Sequence, residues 1–77
     1  MPVVHRLGQC VIRIYADDHD PPHFHVIGPD WSYVVDIKTL RVVRGKRPAN
    51  GDRQVFGWAR ENRDRLMREW EKWNERD

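Results

Sequence analysis

Three histidines fall within seven residues, His19, His23 and His25, and Asp17, Asp18 and Asp20 stand directly beside them. Imidazole nitrogens and carboxylate oxygens are the borderline donors that hold zinc, manganese or nickel. A divalent metal bound there with an open coordination position can activate water for hydrolysis. The same side chains offer a metal-free alternative, with His19 or His25 as a general base near the unperturbed imidazole pKa. A third reading has no chemistry in it: imidazoles packed on Pro21, Pro22 and Tyr15, hydrogen-bonded to loop carbonyls, would staple a turn.

Which of these applies depends on the elements that position the residues. Side chains two apart on a strand share a face, so a strand over 23–27 sets His23 and His25 side by side and turns Phe24 and Val26 the other way. On the metal reading His23 and His25 are ligands, His19 or Asp36 is the third, and Lys46 or Arg47 holds a phosphate. Upstream, Cys10, Ile12 and Ile14 alternate with Arg13 and Tyr15, which predicts a half-buried strand over 10–16. The aspartates and the Pro21-Pro22 pair that follow forbid helix and interior ladder positions and read as a connecting loop.

Gly28-Pro29-Asp30 is a turn signal, and Tyr33, Val35 and Ile37 alternate with Val34 and Asp36 in a further strand over 32–37. Residues 40–43, before Gly45, are the candidate fourth. From about 50 to 75, Val55, Ala59, Leu66, Trp70 and Trp73 recur at helical spacings, with Gly51 and Gly57 weakening the first turns. The expected fold is α+β: a small antiparallel sheet of three to four strands, packed on one face by a long C-terminal amphipathic helix. The other face is then left for Arg13, Tyr15, His23, His25 and Asp36, with His19 nearby.

Seventy-seven residues allow one domain, 1–77, with a single core. Cys10 is the only cysteine, so an internal disulfide is excluded and a metal, a second copy or another partner is the remaining support for a small core. No apolar run approaches signal-peptide or membrane-spanning length, so a cytoplasmic protein without membrane association is expected. The net charge of +2 is unevenly spread. Residues 1–37 carry a net of −3 and all four histidines, and residues 38–53 carry a net of +5. Lys38, Arg41, Arg44, Lys46 and Arg47 in that basic run are candidate phosphate contacts for a nucleic acid, with Trp31 and Tyr33 as stacking surfaces. No recognition-helix, zinc-finger or Gly-rich phosphate loop accompanies them. Trp70 and Trp73 are expected in the core, and Trp31 and Trp58 off it.

The stretch Val11 to His25, then Val35-Asp36-Ile37-Lys38-Thr39-Leu40, Gly45-Lys46-Arg47-Pro48, Trp58-Ala59 and Glu69-Trp70, resembles a family of short bacterial proteins, domain of unknown function 4160. Its signature maps onto Asp18, His19, Pro21, Pro22, His23, Phe24 and His25. The resemblance implies the fold argued above, in a family without an established activity. It also implies a gene partnered by a second small gene, as in toxin–antitoxin pairs. Relatives often carry acidic residues around Arg41 and Arg44, so the basic run is a departure. The leading expectation is a cytoplasmic binding module whose open face, with His19, His23, His25, Arg13 and Tyr15, engages a partner protein, a second copy or an RNA. The rival is a minimal metal-dependent hydrolase or ribonuclease.

Overall fold

Period-two alternation builds the sheet. In the computed structural model, which describes residues 3–19 and 21–74, five antiparallel strands run in chain order across one sheet: β1 (Val3–Leu7), β2 (Cys10–Arg13), β3 (His23–Ile27), β4 (Ser32–Asp36) and β5 (Val42–Gly45). Cys10, Ile12, Ile14, Phe24, Val26, Tyr33, Val35 and Ile37 are buried on one side. Between them, Arg13, His23, His25 and Asp36 point to the other.

The sheet has five strands where three to four are expected. The additional one, β1, buries only Val4 and carries His5 and Arg6 in its middle, so it shows almost no apolar period. Gly8, at φ 56°, opens the two-residue turn joining it to β2, a hairpin that favours glycine at that position. The candidate strand over 40–43 is displaced to 42–45. Gly45 ends it at φ 80°, where a Cβ would lie 2.7 Å from the Ser32 carbonyl oxygen, closer than any side chain tolerates.

The single helix expected over 50–75 is two helices, α1 (Val55–Glu61) and α2 (Arg63–Asn74); residue 75 lies outside the described residues. Asn62 makes the break. Its side-chain Nδ2 donates to the Trp58 carbonyl at 2.8 Å, and its own carbonyl accepts from Leu66 at 2.9 Å. An asparagine that offers the backbone an alternative partner in this way competes with the helical ladder. Val55, Ala59, Leu66 and Trp70 join the buried cluster formed by the sheet residues. Trp73 does not: it is exposed, its indole N–H donates to Glu69 Oε1 at 3.3 Å along the helix, and its backbone carbonyl accepts from the Asp17 N–H at 3.4 Å. Among the described residues no helix is long and apolar enough to cross a membrane.

Candidate metal centre

The loop between β2 and β3 folds back over the start of β3, and its placement determines the site. Asp17 takes a left-handed conformation, φ 59°, which aspartate tolerates better than most residues. The C-terminal end of α2 then holds the loop down: the Asp18 N–H donates to Asn74 Oδ1 at 2.5 Å, one residue after the bond from Asp17 to Trp73. The Asp18 carboxylate is thereby directed at the two histidines of β3.

Asp18 Oδ2 lies 2.8 Å from His23 Nε2 and 3.7 Å from His25 Nε2. These three residues are the one His/Cys/Asp/Glu cluster among those described whose donor atoms converge, all within 4.8 Å of one another. His23 Nδ1 lies 2.8 Å from the Pro21 carbonyl oxygen, which can only accept, so Nδ1 carries a proton. In the neutral ring Nε2 is then a lone pair facing a carboxylate lone pair at 2.8 Å. That contact requires a second ring proton or a cation. Donation of the far ring N–H to a backbone carbonyl is also the usual way a metal-bound imidazole is oriented.

His25 supplies the second donor. Its ring meets the Tyr15 ring edge-on, centroids 4.5 Å apart, and its Nε2 is buried with no hydrogen-bond partner among the described residues. Burial, and then the neighbouring His23, push its pKa below the ordinary imidazole value, which outweighs the pull of Asp18 and favours the neutral ring that can ligate. For Asp18, burial alone would raise the pKa. The His19 backbone N–H, bonded at 3.0 Å, and the two imidazoles outweigh that, and the carboxyl sits below its ordinary value. All three donors line a cleft of about 210 Å³ with His19, Pro21, Val34, Val43 and Arg44.

The other residues named from sequence are dispersed. His19 turns outward at the mouth of the cleft, 87% exposed, with Nδ1 3.4 Å from the other Asp18 oxygen, outside the three-donor cluster. Asp36 pairs with His23 in register but closes its own turn, Oδ1 accepting from the N–H groups of Lys38 and Thr39 at 2.7 and 3.0 Å. Arg13 lies opposite His25 on the same face. Asp20 lies outside the described residues.

In the basic run Arg44 alone lines the cleft. Lys38, Arg41 and Lys46 are exposed elsewhere, and Arg47 is engaged by Asp52, Nε to Oδ2 at 2.8 Å. His5, the fourth histidine, stacks on Trp58 with centroids 4.5 Å apart. Asp18 as the third converging donor and Asn74 as its positioning residue are what sequence reasoning passed over. The family motif contains Asp18, but nothing in the chain's spacing links residue 74 to it. No curated protein and no solved structure matches the chain significantly. A family model described as Domain of unknown function (DUF4160) matches residues 10–71, and the chain belongs to that family.

Proposed function

We propose that this protein is a small divalent-cation-binding module, with Asp18, His23 and His25 as ligands and its remaining coordination positions open to the cleft. The observation that carries this reading is the convergence of Asp18 Oδ2 and two imidazole Nε2 atoms, one with its tautomer set by Pro21 and the other buried without a partner. Metal–ligand bonds of about 2.0–2.1 Å at right angles put donor atoms about 2.9 Å apart, and tetrahedral angles put them about 3.4 Å apart. The separations of 2.8 and 3.7 Å from Asp18 are near those values. Two histidines and one carboxylate leave positions for water, and metal-assisted hydrolysis is the reaction such a centre supports. The buried free thiol of Cys10, which donates to the Leu7 carbonyl at 3.2 Å, fits a reducing cytoplasmic setting.

Titration with zinc, manganese or nickel tests this, read by the imidazole resonances and by thermal melting. Zinc or nickel is expected to shift His23 and His25 selectively, leaving His5 unmoved, and to stabilise the fold by about 2.7 kcal/mol at a hundredfold excess over Kd. Equal shifts at all four histidines, or none, would retire the site.

A second reading keeps the protein as one component of a two-gene, toxin–antitoxin-like pair. Its support is β5, an edge strand with all four residues exposed, including Val42 and Val43. Such an edge accepts an added strand from another chain. Loss of capture of the neighbouring gene's product by Val42→Lys, with the metal response intact, would favour it.

A further inference from the structure

Arg44 is the cation that the metal centre does not account for. The register runs His25 to Val34 to Arg44 straight across three strands, and residues directly opposite one another point to the same face. Neighbouring strands lie about 4.8 Å apart, so the His25 and Arg44 backbones are separated by roughly 10 Å. Val34, only 8% exposed, floors the gap, and Val43, at the irregularity in β5, borders it. The Arg44 guanidinium makes no hydrogen bond or ion pair with any described residue, whereas Arg47 is bound to Asp52 and Arg65 to the Val4 carbonyl. It nonetheless lines the same cleft as His25.

We infer that the cleft binds a phosphate dianion, free or at the end of a phosphomonoester, between the cation on Asp18, His23 and His25 and the guanidinium of Arg44. This rests on the metal-binding reading above. A divalent cation on one carboxylate and two neutral imidazoles carries a net of +1, and Arg44 raises the cleft to +2, which a dianion neutralises and a phosphodiester or carboxylate monoanion does not. Guanidinium offers parallel N–H donors that match phosphate oxygens. At about 210 Å³ the cleft is smaller than the usual pocket for a whole drug-sized ligand, so it takes an end group and leaves the rest of an ester outside.

The test uses the full chain loaded with Mn²⁺, with inorganic phosphate, phenyl phosphate and dimethyl phosphate as probes read by ³¹P relaxation. Metal loading is followed separately, by broadening of the His23 and His25 resonances. Inorganic and phenyl phosphate are expected to bind the wild type. Arg44→Gln is expected to weaken both about tenfold or more with metal loading unchanged, and Arg44→Lys to restore part of the loss. Dimethyl phosphate is expected to bind at least several-fold more weakly. Metal loading without phosphate binding, or equal affinity in Arg44→Gln, overturns this inference and leaves the metal reading standing. Dimethyl phosphate binding as tightly as phenyl phosphate overturns the dianion assignment. A protein whose imidazoles ignore Mn²⁺ overturns both.

Discussion

Asp18 and Asp52 are both aspartates in loops, each facing basic side chains, and they serve opposite ends. Asp52 is 4% exposed and saturated: Tyr33 donates to Oδ2 at 2.6 Å, and Arg47 bonds Oδ2 at 2.8 Å and Oδ1 at 3.3 Å while its guanidinium lies 4.4 Å over Phe56. Every strong donor there has an acceptor. Around Asp18 the count does not close, since one imidazole nitrogen meets the carboxylate as a lone pair unless it gains a proton, and another has no partner among the described residues. A buried polar network that is fully satisfied rigidifies the fold, and the incomplete one at the cleft is where the proposed cation would sit.

The largest effect that would break this contrast is on stability. Asp52→Ala leaves the buried Tyr33 hydroxyl without its acceptor and removes the Arg47 bonds that close the segment joining β5 to α1 on itself. A loss of about 3 kcal/mol is expected in urea denaturation. A loss under about 1 kcal/mol would mean that Asp52 is no more structural than a surface carboxylate.

Asp18→Asn gives the next largest expected effect, and it separates the two roles directly. In metal-free protein the amide keeps an acceptor for the His19 N–H, and only a partly exposed ion pair is lost, so the cost is expected below about 1 kcal/mol. The stabilisation by zinc, in contrast, disappears. Asp52→Asn shows the reverse pattern, with lower stability throughout and an undiminished zinc increment. A zinc increment retained in Asp18→Asn would show that the metal is held elsewhere.

The two sites also differ in how far the sequence discloses them. The face shared by His23 and His25 is legible, because alternation is a local property of the strand and the flanking Phe24 and Val26 set its phase. The identity of the third converging donor is not. Asp18 and His19 are neighbours in a loop without a period, and the choice between them is made by Asn74, fifty-six residues along the chain from Asp18. The Asp52 network is equally hidden, since the positive charge of Arg47 reads as part of a basic run until β5 and α1 bring it onto Asp52. Trp73 is a misleading residue of another kind. Its spacing continues the apolar stripe of Leu66 and Trp70, but the stripe runs past the end of the core.

The smallest expected effect is in the acid limb of the stability curve. Bonding to Arg47 holds the Asp52 carboxyl below its ordinary value of 3.8 against the opposing effect of burial, with Tyr33 adding to the depression. A carboxyl whose pKa is lower folded than unfolded stabilises the fold above the unfolded value, and that contribution fades as pH falls through it toward the folded value. The Tyr33 phenol, raised above 10.0 chiefly by burial and then by Asp52, has the opposite sign: its contribution is present below that pH and lost above it. The network therefore holds between roughly pH 4 and 10 and weakens on both sides. Asp52→Asn cannot titrate, so its stability, lower at pH 7, should fall less steeply than wild type between about pH 4 and 2. Urea midpoints measured across that range check the slope, and parallel curves would show that Asp52 adds nothing to acid sensitivity.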